Sequence, residues 1–214
     1  MTAAEPGPDD FFEPAAESVT AELKVKRSIF VGTLAPCGSA ETAREVLARV
    51  ESLSKDADHN CWAYRLDPDS GIEHSSDDGE PAGTAGKPIL AAIRRSGMFN
   101  VMIVVTRWFG GVKLGVRGLI DAYGQTAADA ASRAARVLNV RKRRVTVCLP
   151  YAAIGDVARL LSAGGAVGAP EWRYAAEAEV LADVKASGAP GLEAALEELR
   201  GRKRILCWKW LSPP

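Results

Sequence analysis

Val101-Met102-Ile103-Val104-Val105 constrains this chain more than any other five residues. An unbroken apolar run rich in β-branched side chains suits a strand, and it offers no polar face to water. Such a strand must be covered on both sides. Gly110 and Gly111 end it. The run is far shorter than the roughly 20 residues of a membrane helix, and no other apolar run approaches that length. With 214 residues, 47% apolar and 25% charged, the chain has the material for a packed core in one or two domains.

The flanking sequence supplies periodic segments. Residues 23–25 and 29–34 read as short strands. Ser39 can cap a helix that has Glu41 in its first turn and Val46, Leu47, Val50 and Leu53 on one face. Residues 61–66 read as a strand with Trp62 and Tyr64 on one side. Residues 67–86 read as a loop rich in Asp, Ser, Gly and Pro. Pro88 suits the first turn of a helix that carries Ile89, Leu90 and Ile93 and ends near Gly97. A long helix is predicted from about Gly118 to Leu138, its inner face being Leu119, Tyr123, Ala127, Ala130, Ala134 and Val137. Those alanines would let it lie close to a sheet.

Residues 141–144 read as a basic linker, after which the pattern changes. Strands at 145–149, 167–174, 176–184 and 205–210 alternate with helices at Ile154 to Leu161 and from Pro190 on. The order βαββαβ is the ferredoxin-like signature. The expectation is therefore an α+β protein of two domains, residues 18–140 and 143–214. Residues 1–17 are expected to be a flexible acidic tail, because Pro6, Pro8 and Pro14 break any periodicity. Residues 1–22 hold Glu5, Asp9, Asp10, Glu13, Glu17 and Glu22 with no Lys or Arg, the opposite of a basic leader. Cys37, Cys61, Cys148 and Cys207 show no CxxC spacing, which fits a reducing cytoplasm.

Charge is zero overall but unevenly spread. Residues 91–150 carry eleven basic side chains against Asp121 and Asp129. Residues 59–80 carry Arg65 against Asp67, Asp69, Glu73, Asp77, Asp78 and Glu80. Either one face meets an anionic partner, or the two stretches neutralise each other on folding.

Two runs concentrate the candidate chemistry. Ser76-Asp77-Asp78-Gly79-Glu80-Pro81 is acidic and turn-forming, and Ala82-Gly83-Thr84-Ala85-Gly86-Lys87-Pro88 leads from it into a helix. A helix start beside Gly86 and Lys87 is a ready anion site. It is not a P-loop, because Pro81 stands where the first glycine belongs and Pro88 where Ser or Thr belongs. In the second run, Arg107 and Lys113 can hold phosphate or carboxylate among Gly110, Gly111 and Gly115. Trp108 and Phe109 are either stacking platforms or core. His59 and His74 match no zinc spacing. Asp77, Asp78 and Glu80 suit a hard cation such as Mg²⁺, or simply a solvated turn. Cys61, two residues from His59, is the local candidate nucleophile, although a lone Cys is usually a small buried hydrophobe. No catalytic set, metal site or cofactor motif is complete, so none is expected.

Three long motifs carry a resemblance. His59-Asn60-Cys61-Trp62-Ala63-Tyr64, the run from Ser76 to Leu90, and Val105-Thr106-Arg107-Trp108-Phe109-Gly110-Gly111-Val112-Lys113-Leu114-Gly115 resemble the YigZ/IMPACT family, as does Lys26-Arg27-Ser28-Ile29-Phe30. The resemblance covers about residues 20–135. It implies an N-terminal βαβ superfold with left-handed crossover, like elongation factor G domain IV, and a C-terminal domain like its domain V. Eukaryotic IMPACT regulates translation initiation by competing for the activator of a stress kinase. Arg117 and Asp121 depart from the family pattern, which has Gly and Arg there. The two can pair across one helical turn.

The resemblance thus implies a regulatory binding protein linked to translation through RNA, the ribosome or a translation factor. Its binding surface would comprise His59, Asn60, Ser76, Asp77, Asp78, Glu80, Gly83, Thr84, Gly86, Lys87, Arg107, Gly110, Gly111, Lys113 and Gly115. The alternatives are a Mg-dependent enzyme acting on a phosphorylated or acidic small molecule, and a protein–protein adaptor that touches no nucleic acid.

Overall fold

A computed structural model describes residues 7–15 and 18–211. Among the described residues it has two compact units, one from Phe11 to Asn139 and one joining residues 7–10 with residues 140–211. Both mix helices with antiparallel sheet, giving an α+β, two-domain protein.

The first unit contains β1 (Asp10–Pro14), β2 (Val19–Val25), β3 (Ser28–Pro36), α1 (Ala40–Leu53), β4 (His59–Arg65), β5 (Glu73–Ser76), α2 (Gly86–Ser96), β6 (Val101–Trp108), α3 (Gly115–Arg133) and β7 (Arg136–Val140). Five strands form one sheet in the order β2-β3-β6-β4-β5, antiparallel throughout. β3 and β4 both run against β6, so the connection through α1 joins two parallel strands with β6 between them.

The apolar run at 101–105 occupies the middle of that sheet. Val101, Ile103 and Val105 face a core shared with α2 and α3, while Met102 and Val104 face a core shared with α1. All five are essentially inaccessible, as a strand covered on both faces requires. α3 approaches closely through Ala127 and Ala130. A Cβ on Gly32 of β3 would lie 3.0 Å from the Thr126 carbonyl oxygen. Ser39 caps α1 by accepting from the Thr42 N–H, and Trp62 and Tyr64 stack on the α1 side of the sheet.

Four expectations need correction. α3 stops at Arg133 rather than near Leu138, and Arg136–Val140 is instead a strand pairing with β1. A strand partner far away in sequence overrode a helical periodicity. The loop at 67–86 contains a strand, β5, registered on β4. The flexible acidic tail fails at Asp10–Pro14, which is β1, with Phe12 packed on the core and its carbonyl accepting from Phe99 N–H. The remainder of that expectation falls partly on residues 1–6 and 16–17, outside the described residues. The basic linker is no linker either, as its last three residues begin a strand of the second unit.

That unit contains β8 (Lys142–Leu149), α4 (Ile154–Ala163), β9 (Ala166–Tyr174), β10 (Ala178–Lys185), α5 (Ala189–Gly201) and β11 (Cys207–Leu211). Its sheet has the order β11-β8-β10-β9. Val145, Val147 and Leu149 alternate inward against Val157 and Leu161 of α4 and Leu192 and Leu196 of α5. The basic start of β8 is tolerated because Asp183 on β10 pairs with Lys142 and Arg144, each at 2.7 Å.

Candidate functional site

The acidic run begins where β5 ends. Asp77 turns its carboxylate onto the start of α2 and accepts from the N–H groups of Gly83 (2.8 Å), Ala85 (2.9 Å) and Gly86 (2.8 Å). Burial opposes the charge on Asp77, but these three donors and the Lys87 ammonium outweigh it, holding the carboxyl below its usual range. Gly86 is required because a Cβ there would lie 2.9 Å from the Ser76 carbonyl. The helix start predicted as an external anion site is therefore occupied by the chain's own anion. Orphan N–H groups at a helix end take the nearest acceptor, and here the preceding turn supplies it.

The neighbouring acids are committed elsewhere. Asp78 accepts from Asn60 N–H at 2.6 Å, and its carbonyl meets His59 Nδ1 at 2.7 Å. Asn60 Oδ1 accepts from Thr106 at 2.8 Å and from Ser54 at 3.2 Å. Thr84 is buried and donates to the Pro81 carbonyl. Glu80 is buried and pairs with the equally buried Arg107, and it also accepts from Tyr123 at 2.8 Å. Glu73 similarly pairs with Arg65 and Arg94. At Glu73 and Glu80, then, the acidic and basic stretches do neutralise each other. The three carboxylates of the 77–80 run point to three different sets of partners, so they do not converge as a Mg²⁺ ligand set.

Cys61 is fully buried and donates to the Asp77 carbonyl at 2.9 Å. Burial pushes its thiol up to about 12. A hydrogen bond with Tyr123 opposes that, and Glu80, Asp78 and Asp77 add to it. Burial likewise raises Tyr123. A thiol held protonated makes a poor nucleophile, and Cys61 reads as part of the scaffold.

The second run leaves β6 toward solvent. Phe109 N–H donates to Asp58 at 2.6 Å and Gly110 N–H to Ser28 at 3.2 Å. A Cβ on Gly110 would lie 2.1 Å from the Arg27 carbonyl carbon, so only glycine can pass the turn between β2 and β3. Phe109 remains 44% exposed, with the Arg107 guanidinium over its ring at 5.3 Å. Lys113 is exposed and has no ion-pair partner among the described residues. α3 begins directly after it, with Leu114 at the cap position and no side-chain hydrogen bond there.

The two runs meet at a pocket of about 460 Å³. Of the residues singled out in sequence, His59, Glu80, Arg107, Phe109, Lys113 and Gly115 line it. Asn60, Ser76, Asp77, Asp78, Gly83, Thr84, Gly86, Lys87, Gly110 and Gly111 do not. Most of these shape the turns behind it, while Lys87 and Gly111 are exposed away from it. Sequence reasoning missed Asp58, Val116 and Leu119 as lining, and Ser28 and Tyr123 as its supports. The register of β3 on β6, which sets Phe30 opposite Arg107, is what brings Ser28 in. Arg117 and Asp121 form the expected pair across one turn of α3, at 3.1 Å on the open surface.

The sequence pattern of the Impact N-terminal domain matches residues 26–131. A Thermus thermophilus protein, "IMPACT family member in pol 5'region", is 41% identical over 139 residues, covering 65% of this chain and 74% of that protein. "IMPACT family member YigZ" of Escherichia coli is 43% identical over 113 residues, which are 52% of this chain and 55% of that protein. This chain thus aligns with about half the length of that second relative. A crystal structure described as that of an hypothetical protein superposes with TM-score 0.65 at 30% identity, covering 96% of this chain and 98% of the other. With so large a share of the Thermus relative matched, and its motifs grouped around one pocket, the chain belongs to the IMPACT family.

Proposed function

We propose that this chain is a regulatory binding protein of translation, acting in the cytoplasm through RNA, the ribosome or a translation factor, with the pocket between the two runs as its contact surface. The observation that carries this reading is the division of labour at that pocket. Asp77, Asp78, Glu80 and Arg107 are all committed to internal partners, whereas Lys113 and Phe109 are left partly open to solvent beside the pocket. An unpaired cation next to an exposed ring is how proteins commonly meet nucleic acid backbones and bases.

The finer fold identities belong to the same proposal. The order β11-β8-β10-β9 supports a ferredoxin-like domain, a common RNA platform, and the α1 connection around β6 supports the elongation-factor-type βαβ superfold. The Mg-dependent alternative loses its motive, since Asp77, Asp78 and Glu80 serve separate internal partners. The adaptor alternative is separated by experiment. Filter binding to RNA at rising salt should show affinity falling log-linearly as counterions are released, and ribosomes should carry the protein down on sedimentation. Absence of both at low salt refutes the RNA and ribosome routes, and failure of purified translation factors to bind as well refutes the proposal and leaves the adaptor.

A further inference from the structure

We infer that Cys148 and Cys207 form a thiol–disulfide exchange site, in which Cys207 takes up one half of a small-molecule disulfide and Cys148 expels it by closing a cross-strand bond. The site lies within the second unit, so it is independent of the pocket and goes beyond the translation reading.

The two cysteines share no spacing motif in sequence, and strand pairing brings them together. β11 runs antiparallel to β8, and Cys207 stands directly opposite Cys148. On β8, Val145, Val147 and Leu149 face the core, so Cys148 points to the other side of the sheet with Thr146. On β11, Trp208 and Trp210 pack on that same core, so Cys207 points away from it with Lys209. Both thiols therefore lie on the face opposite α4 and α5. Directly opposed residues of an antiparallel pair have Cα atoms about 4.5 or 5.5 Å apart. Both spacings fall within the roughly 4.4–6.8 Å that a disulfide spans. The Cβ atoms must draw slightly closer, and β11, an edge strand beside β8, can make that shift without moving the rest of the sheet.

The two thiols differ, and the difference assigns their roles. Cys207 is exposed and Cys148 half-buried. Burial, a hydrogen bond with Cys207 and the Cys207 charge push Cys148 up to about 11, and Glu179 and Glu177 add to this. Glu179 stands opposite Cys148 on β10, where it accepts from the Thr146 hydroxyl at 3.0 Å. Access to solvent, with Cys148 keeping its proton, makes Cys207 the attacking group. Its thiolate bonds to one sulfur of the small disulfide, and the other half leaves as a thiolate. That step removes both the acceptor and the charge by which Cys207 held the Cys148 proton. Cys148 then gives its proton to water and attacks the Cys207 sulfur, and the second half leaves. In total, two protein thiols lose two electrons and two protons, and the small disulfide gains them as two thiols. Excess small thiol runs the same steps backward. In a reducing cytoplasm the pair therefore rests as a dithiol and closes when the small-molecule pool is oxidised.

The test incubates the reduced full-length chain with oxidised glutathione, quenches it with N-ethylmaleimide and reads intact and peptide masses. Wild type should lose two hydrogens and yield a linked peptide joining Cys148 to Cys207. Cys37 and Cys61, both buried in the first unit, should keep their thiols and serve as internal controls. Reduced glutathione should restore the starting mass. Cys148→Ser should retain glutathione on Cys207 at least about tenfold above the wild-type level, because nothing expels it. Cys207→Ser should leave Cys148 at least about tenfold slower to react. Three results overturn the inference. Wild type could keep both thiols under excess oxidised glutathione. It could hold a glutathione adduct on Cys207 as abundant and lasting as that of Cys148→Ser. Its linked peptide could join two chains, seen as a dimer on a non-reducing gel. None of these bears on RNA or ribosome binding, so the translation reading stands or falls separately.

Discussion

Replacing Asp77 by alanine removes the acceptor for three backbone donors at once. Gly83 is half-buried, so water can replace its lost bond at little cost. Ala85 and Gly86 are buried, and a buried N–H left without an acceptor costs about 1–3 kcal/mol. The sum for Asp77→Ala is therefore roughly 3–5 kcal/mol, a large part of the 5–15 kcal/mol typical of a domain. With a urea m-value of about 2 kcal/mol/M, the midpoint should fall by about 1.5–2.5 M. The amide NMR signals of β6 across a urea titration report the first unit alone. Asp77→Asn keeps one acceptor oxygen for Ala85 and Gly86 but loses the charge and the Gly83 bond, so it should lose about 1–2 kcal/mol. The effect also depends on pH. The native carboxyl titrates below its usual value, so the charge-dependent part of its contribution is complete above the unfolded pKa near 4 and is lost as pH falls through the native one. The gap between wild type and Asp77→Ala should narrow below about pH 4 without closing, since the protonated carboxyl still offers one oxygen to Ala85 and Gly86. A midpoint shift under about 0.5 M at pH 7 would refute the capping argument, since it would mean that water serves α2 equally well.

Gly110→Ala must displace the Arg27 backbone, whereas a Cβ on Gly111, at φ +82°, meets no neighbour. Differential scanning calorimetry should therefore show the first variant losing several kcal/mol or failing to fold, and Gly111→Ala losing about 1–2 kcal/mol. Iodoacetamide near pH 8 should label exposed Cys207 first and leave Cys61, whose thiol is pushed up to about 12, untouched until the protein unfolds; peptide mass spectrometry reads the order. Asp183 is drawn down to about 2 by its hydrogen bond with Arg144, against its own burial, with Lys142 adding. Its stabilisation of the second unit should hold above about pH 4 and vanish between about 4 and 2, as circular dichroism melts of wild type and Asp183→Asn across that window would show. Asp121→Asn breaks a pair whose side chains are 88% and 60% exposed, and a urea midpoint should register under about 0.5 kcal/mol.

Much of the architecture was legible in local pattern. The run at 101–105 announced a doubly covered strand, Ser39 announced a helix start, and the alternation after residue 145 announced the second sheet. Misreadings came where a remote partner decided. Residues 136–140 continue a helical pattern, yet they pair with β1, more than a hundred positions earlier. The pocket was legible in part. Its two runs stood out for their turn residues and charge, but Asp58, Val116 and Leu119 lie outside every motif and nothing marks them as lining.

The sequence alone determined most of the strands and helices and which runs would carry the unusual chemistry, because periodicity, capping and turn propensity act within a few residues. Only the tertiary structure decided which charges remain available. Asp77 folds back onto the start of α2 and Arg107 finds Glu80 across the sheet end, so the residues most conspicuous in sequence are largely neutralised from within. What reaches solvent at the pocket is a plainer set, namely Lys113, Phe109 and the uncapped start of α3. Their availability depends on who else is near, a long-range fact that no local pattern encodes.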